Sequence, residues 1–93
     1  MKARLMIKVR RPVAENAFAE IVVWMLPRPL PGSAHEFKFR LVYVVDGDCV
    51  LRYDNETGKG DHKHIGGIET FYSFTTPEKL LADFWRDVAN WRL

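Results

Sequence analysis

Two histidines, three cations and two aspartates lie within sixteen residues of this chain, in the segment from Arg52 to Gly67. Histidine takes up and releases protons near neutral pH, and arginine and lysine are the groups that bind phosphate. Metal-free cleavage of RNA needs a base for the 2′-hydroxyl, an acid for the leaving oxygen and a cation for the charge that develops at phosphorus. The segment therefore contains every type of side chain that this reaction requires.

The residue types indicate which role each side chain would take. His62 and His64 supply the acid and the base, and their i, i+2 spacing places both on one side of an extended chain. Asp54 or Asp61 is a candidate to orient one histidine through its second nitrogen. The predicted catalytic residues are His62, His64, Arg52, Tyr53 and Asp54. The predicted substrate- and phosphate-binding residues are Lys59, Gly60, Asn55, Asp61 and Lys63.

Two other interpretations of the segment stay open. His62 and His64 with Asp54 or Asp61 form a mixed imidazole and carboxylate set that suits zinc or manganese. Alternatively, the segment is a polar hairpin loop whose Asp and Asn side chains bond to their own turn. We therefore expect no cofactor for the leading interpretation and a divalent metal for the second. His35, isolated among Pro, Gly and Ser, is expected to be an exposed loop residue.

Periodicity and turn residues predict the elements that position this segment. Pro27, Pro29 and Pro31 end one strand and enforce an extended loop. Asp46-Gly47 is typical of a two-residue hairpin turn. The predicted strands cover residues 3–10, 17–26, 36–45, 48–54 and 68–74.

A tight turn at Asp46-Gly47 would determine which residues of the third and fourth strands share a face. It would pair Leu41 with Arg52 and Phe39 with Asp54. A one-residue bulge would exchange the two faces, so these pairs depend on an unbulged hairpin.

Thr76-Pro77 predicts the start of a helix, because Thr is a favourable N-cap and Pro fits the first helical position. The apolar stripe that follows at helical spacing is Leu80, Leu81, Phe84, Trp85, Val88 and Trp91. The predicted fold is a single α+β domain over residues 1–93, an antiparallel meander of about five strands with one C-terminal amphipathic helix packed on a face. One helix cannot cover both faces, so we expect part of an apolar set to be exposed at a partner surface. That set is Trp24, Val22, Val42, Val44 and Leu51.

Composition limits the class of protein. With 93 residues and 47% hydrophobic content, the chain can form one domain with a modest core. We expect a cytoplasmic protein without a membrane partner, since no apolar run approaches the roughly 20 residues of a membrane span. The net charge of +2 is too small to indicate nucleic-acid binding. The cations in residues 2–11 are interpreted as a solvated strand face rather than a phosphate-binding patch, because no aromatic residue lies between them.

The central motif comprises Leu51-Arg52-Tyr53-Asp54-Asn55 and Gly58-Lys59-Gly60-Asp61-His62-Lys63-His64-Ile65-Gly66-Gly67. Together with residues 21–27, 71–74 and 80–85, it resembles the TumE-like toxin family of bacterial type II toxin–antitoxin systems. The resemblance implies a helix-turn-helix antitoxin as the partner. Many small toxins of such modules cut RNA, which favours the nuclease interpretation by analogy.

The leading hypothesis is therefore a toxin component that acts as a small ribonuclease. The alternative from a different class is a binding protein without catalysis, which sequesters a target or joins its antitoxin in operator binding. A metal-dependent enzyme and an enzyme that transfers a nucleotidyl group are further alternatives. The predicted exposed apolar surface also accommodates a homodimer.

Overall fold

The structure of the protein is a computed structural model that describes residues 2–91. Six antiparallel strands form one sheet, and their order across the sheet is their order along the chain. The elements are β1 (Arg4–Ala14), β2 (Ala17–Met25), β3 (Phe37–Val45), β4 (Asp48–Glu56), β5 (Gly60–Ile65), β6 (Ile68–Phe71) and α1 (Pro77–Asn90). The predicted α+β meander with one C-terminal helix is confirmed.

The additional strand, β5, lies inside the chemically unusual segment. The sequence does not predict it, because glycine, aspartate and lysine are poor strand formers. In the structure, β5 pairs with β4 along its whole length. Gly58 in the turn between them has a φ of 81°, a conformation that favours glycine. The segment is thus a hairpin of two paired strands rather than a loop.

A one-residue bulge changes the predicted register of β3 and β4. Val45 pairs with Asp48, as predicted, but the pairing shifts beyond Val44. One extra residue in β4 exchanges its two faces. The predicted pairs Leu41–Arg52 and Phe39–Asp54 are therefore wrong. The observed pairs are Arg40–Asp54, Leu41–Tyr53, Val42–Arg52 and Tyr43–Leu51.

The helix packs on one face of the sheet, which we call the helix face. The Thr76 hydroxyl accepts the Lys79 N–H at 3.1 Å, which confirms the predicted N-cap. Leu80 and Phe84 are fully buried against the sheet. Among residues 2–91, no helix is long and apolar enough to cross a membrane.

The opposite side of the sheet, which we call the open face, has no helix over it. Paired residues share a face, so the register defines this surface as two adjacent rows of side chains. The first row is Lys8, Val22, Arg40, Asp54, His62 and Phe71. The second row is Arg10, Glu20, Val42, Arg52, His64 and Glu69.

The apolar residues expected to be exposed differ in their burial. Trp24 is 36% exposed, and Val22 and Val44 are half-buried. Leu51 is buried because the bulge moves it to the helix face, and Val42 is buried on the open face. Large exposed apolar side chains occur instead near both edges of the sheet, at Leu5, Met6, Val9, Val13, Ile65, Ile68 and Phe71.

Two tyrosine hydroxyls donate hydrogen bonds to carboxylates of α1 and so connect the helix to the rest of the core. Tyr72 donates to Asp83 at 2.6 Å, and Tyr53 donates to Asp87. Burial and these bonds to carboxylates raise the pKa of both tyrosines. Burial by itself raises the pKa of Asp83, but the bonds from Tyr72 and Lys79 and the nearby cations outweigh it, so this pKa lies below its ordinary value.

Removal of the Tyr72 hydroxyl tests this connection. Hydrogen bonds to charged groups contribute about 1.5–3 kcal/mol, so we expect Tyr72→Phe to lower the free energy of unfolding by that amount in urea titrations at pH 7. Tyr43→Phe is the matched control, because Tyr43 is also buried but bonds to neither helix carboxylate within residues 2–91. Equal losses in the two variants would contradict a specific role for the Tyr72–Asp83 bond.

The lowered pKa of Asp83 predicts the acid response of the fold. A carboxyl group with a lowered native pKa stabilises the fold above its unfolded pKa of about 3.9, and this stability is lost as the pH falls through the native value. Between pH 5 and pH 2 we therefore expect the free energy of unfolding to fall more steeply for the wild type than for Asp83→Asn. Parallel curves for the two proteins would show that Asp83 does not carry this dependence.

Candidate functional site

Strand alternation divides the predicted site residues between the two faces. Successive side chains of a strand point to opposite faces, so the even-numbered residues of the paired strands β4 and β5 share the open face. Lys59 is exposed in the turn between these strands, and Gly60 begins β5. The predicted residues that meet on the open face are Arg52, Asp54, His62 and His64. Those on the helix face are Tyr53, Asn55, Asp61 and Lys63.

The helix-face residues contact the core and the helix instead of the histidine pair on the open face. Tyr53 is 0% exposed, and the Lys63 Nζ lies 3.4 Å from an Asp87 carboxylate oxygen. The Asn55 side-chain oxygen accepts the Phe39 N–H at 3.0 Å. The structure therefore does not bring Tyr53, Asn55 or Lys63 to His62 and His64.

Asp61 pairs with His35, the one histidine that lies outside the motif. The His35 Nε2 lies 2.8 Å from Asp61 Oδ2, and its side chain is only 15% exposed. The expectation of an exposed His35 is wrong, because the ring packs on Phe74 with a centroid distance of 4.0 Å. The proline-rich loop between β2 and β3 is also bonded to the turn between β4 and β5, since the Gly58 N–H donates to the Pro31 carbonyl at 2.7 Å. That N–H is therefore already used within the fold.

The four even-numbered residues form one connected network. The His62 Nε2 lies 2.7 Å from Asp54 Oδ1, and the Arg52 Nε lies 3.4 Å from Asp54 Oδ2. On its other side, the Arg52 Nη2 lies 3.0 Å from His64 Nε2. The two imidazole rings have centroids 5.3 Å apart. One carboxylate and one guanidinium thus link the two histidines.

The network is buried at one end and accessible at the other. The side chains of His62 and Asp54 are 7% and 11% exposed, whereas that of Arg52 is 37% exposed. Asp54 Oδ1 and Arg52 Nε lie close to opposite charges, but neither atom has an aligned hydrogen bond within residues 2–91. Buried polar atoms of this kind are characteristic of sites where a further group binds.

Both ring nitrogens of His62 face acceptor groups. The Gly60 carbonyl lies 3.3 Å from Nδ1, and the Asp54 carboxylate lies at Nε2. Both neighbours only accept hydrogen bonds, so either ring nitrogen has a group to which it can donate. His62 is therefore arranged as a proton donor.

His64 has the opposite arrangement. The Arg52 guanidinium only donates hydrogen bonds, so the His64 Nε2 next to it accepts. A Glu69 carboxylate oxygen also lies near this nitrogen, at 3.6 Å. The contact with Arg52 is the closer of the two, at 3.0 Å against 3.6 Å for Glu69, so this nitrogen is assigned as an acceptor. His64 is therefore arranged as a proton acceptor.

Three residues outside the motif also belong to this surface. Their positions depend on the bulge in β4 and on β5, neither of which local sequence patterns predict. The turn at Gly66-Gly67 was the available signal, because it places the following residues opposite the two histidines. The additional pairs are Arg40–Asp54, Glu69–His64 and Phe71–His62.

The hairpin that carries the network lies within the part of the chain that a known family model matches. The family model described as Toxin TumE matches residues 2–92. This chain belongs to the TumE toxin family. No curated protein and no solved structure matches it. Membership supports a toxin role and, in general, an antitoxin partner.

In this TumE toxin, Asp54, His62 and His64 also form a set that could hold a metal ion, with one ligand atom from each within 4.8 Å of the others. Asp61 is not part of this set, since it lies on the helix face. The Arg52 guanidinium lies 3.0 Å from one of the ligand nitrogens. A fixed positive charge there opposes a metal cation and favours an anion such as phosphate.

Zinc titration distinguishes the two kinds of ligand. We expect the wild-type TumE toxin to bind Zn²⁺ weakly and Arg52→Ala to bind it about tenfold more tightly or better, because the variant lacks the repelling charge. Competition with a zinc-binding dye measures both affinities. Arg40→Ala is the control, since it removes a neighbouring cation that is not in contact with the histidines. Tight binding by the wild type that weakens in Arg52→Ala would instead indicate a metal site.

Proposed function

We propose that this TumE toxin cleaves RNA at the open-face network, with His64 as the base, His62 as the acid and Arg52 as the phosphate-binding cation. The observation that supports the proposal is the opposite arrangement of the two histidines. One faces two groups that only accept hydrogen bonds, the Asp54 carboxylate and the Gly60 carbonyl, and the other faces Arg52, which only donates, with ring centroids 5.3 Å apart. Acid–base pairs are characteristically sorted by such differences in environment.

In the proposed reaction, the His64 Nε2 takes the proton of the 2′-hydroxyl, and the 2′-oxygen attacks the phosphorus. Arg52 turns from His64 to the phosphate, where its guanidinium stabilises the charge on the non-bridging oxygens. The bond between phosphorus and the 5′-oxygen breaks, and that oxygen takes a proton from His62. The products are a 2′,3′-cyclic phosphate and a 5′-hydroxyl end. The reaction needs no metal or other cofactor.

The neighbours of His62 indicate which of its nitrogens meets the leaving oxygen. The Asp54 carboxylate lies close to Nε2, at 2.7 Å, while the contact between Nδ1 and the Gly60 carbonyl is longer, at 3.3 Å. The longer contact is the one that a leaving oxygen replaces. His62 is only 7% exposed, so the leaving oxygen approaches beside Gly60.

A binding protein without catalysis is the second candidate. The burial of His62 and the presence of a partner at each of its nitrogens favour it, since a purely structural histidine has the same features. In that case the open face sequesters a target and leaves it intact.

We also propose that the antitoxin is a helix-turn-helix protein, in agreement with the family resemblance of the motif. The exposed apolar residues along the edge strand β1, with Leu5 on the open face and Val9 on the helix face, provide an edge for it or for a second copy of the toxin. Both its RNA target and its antitoxin would place its action in the cytoplasm.

Cleavage of total RNA by purified protein tests the proposal. We expect His64→Ala and His62→Gln each to lower the cleavage rate by about 10²–10⁴-fold, which is the usual contribution of one acid or base. His62→Gln retains a donor for Asp54, so a loss of rate reports the proton and not a disrupted fold. His35→Gln is the matched control, because this histidine lies on the helix face, and the folded fraction of each variant is measured by circular dichroism.

The products and the metal dependence separate the alternatives. Cleavage that continues in EDTA and leaves 2′,3′-cyclic phosphate ends is the expected result. Cleavage lost only in EDTA would transfer the activity to a metal. Intact RNA in every condition would favour the binding protein, and labelled nucleotide attached to RNA or protein would favour nucleotidyl transfer.

A further inference from the structure

Phe71 is unusually exposed for a large apolar side chain. It is 79% exposed, and it pairs with His62 across β5 and β6 on the open face. Its ring also lies over Gly60, where an added β-carbon would come within 3.8 Å of it. Phe71 therefore stands beside Gly60, the residue whose carbonyl faces His62 where the leaving oxygen is proposed to approach.

A second exposed aromatic residue lies on the same face, four strands away. Trp24 is 36% exposed and borders a cleft of about 220 Å³ that Val22, Lys38 and Arg40 also line. Arg40 pairs with Asp54, so this cleft adjoins the catalytic network. Four spacings of about 4.8 Å place the strands of Trp24 and Phe71 roughly 19 Å apart, a distance that several linked nucleotides span.

The charges on the open face favour a polyanion. Lys8, Lys38 and Arg40 are exposed and form no ion pair within residues 2–91. The strands of the open face have five cations and four carboxylates, and one of the four, Glu56, pairs with Lys59 of the adjoining turn at 3.8 Å. The cations are Lys8, Arg10, Lys38, Arg40 and Arg52, and the carboxylates are Glu20, Asp54, Glu56 and Glu69.

We infer that the open face binds single-stranded RNA, with Phe71 stacking on the base that follows the scissile phosphate and Trp24 stacking on a base several positions away. Exposed aromatic rings flanked by cations are the means by which sheets bind unpaired nucleotides, because the faces of unpaired bases are free to stack. The bases of a duplex stack on each other and do not have free faces. The inference rests on the proposed function, and it specifies the substrate as single-stranded.

The rest of the same edge strand supports this choice of occupant. Ile68 is 69% exposed, but it pairs with Ile65 and so lies on the helix face, away from the cations. An apolar protein contact along this edge would use both Ile68 and Phe71. Of the two residues, Phe71 is the one that shares a face with the cations and the histidine pair.

Binding of a 2′-O-methyl oligoribonucleotide of mixed sequence tests the inference, because this probe lacks the 2′-hydroxyl that cleavage requires. By fluorescence anisotropy we expect Phe71→Leu to weaken binding on the order of tenfold, since leucine keeps the apolar volume and loses the stacking ring. Phe71→Trp should bind as tightly as the wild type. Ile68→Ala is the matched control and should leave the affinity unchanged.

The nucleic-acid form and the salt dependence provide further readouts. A duplex of the same sequence should bind on the order of tenfold more weakly than the single strand. For three or four phosphate contacts, the logarithm of the affinity should fall with the logarithm of salt with a slope of about −2 to −3.

These experiments distinguish failure of the single-strand inference from failure of the proposed ribonuclease function. A wild type that binds the probe and leaves natural RNA intact would overturn the ribonuclease proposal and retain the single-strand inference. A wild type that cleaves RNA, with Phe71→Leu binding as tightly as Phe71→Trp, would overturn the inference alone. Absence of probe binding or equal affinity for the duplex would also overturn it.

Discussion

The bulge between β3 and β4 is the constraint on which the rest of the structure depends. Side chains alternate between faces, so one extra residue in β4 reverses every position after it. The reversal places Leu51 and Tyr53 against the helix and places Arg52 and Asp54 on the open face. Without it, a guanidinium and a carboxylate would point into the apolar core, where unpaired charges are strongly unfavourable. The same one-residue shift in β4 therefore forms both the core and the candidate site.

The two faces have different electrostatic arrangements. On the helix face, Asp83 receives the Tyr72 hydroxyl and two cations, so its charge is fully compensated within the fold. On the open face, the contacts of Asp54 and Arg52 include atoms without aligned hydrogen bonds. Compensated charges stabilise a docked helix, whereas incompletely bonded charges remain available to a ligand. This contrast locates the candidate chemistry on the open face.

Much of the fold could be predicted from local patterns, because those patterns are set by neighbouring residues. The Thr76 cap, the apolar stripe of α1 and the Asp46-Gly47 turn all act within a few positions. The bulge and the strand β5 depend on pairing across the sheet, which no local pattern encodes. His35 is the clearest example, since its partner Asp61 is 26 residues away and is reached through the folded proline-rich loop.

The sequence predicts the types of side chain at the candidate site, but not which residues of the motif belong to it. The sequence motif contains all four residues of the network, but it also contains Tyr53, Asn55, Asp61 and Lys63, which alternate with them. Only the pairing of β4 with β5 separates the two sets. Phe71 and Arg40 lie outside the motif and join the site through strand register, so their residue types alone do not assign them to it.

The central claim is that this TumE toxin engages RNA on the open face of its sheet through the Arg52–His64 end of the network. Two-dimensional NMR of the labelled protein with a non-cleavable single-stranded oligonucleotide measures this directly. We expect the Arg52 Nε–H and His64 ring signals to shift most, together with backbone amides of β4 and β5, while signals of α1 stay in place. Shifts confined to the helix face, or unchanged Arg52 and His64 signals at saturating oligonucleotide, would contradict it.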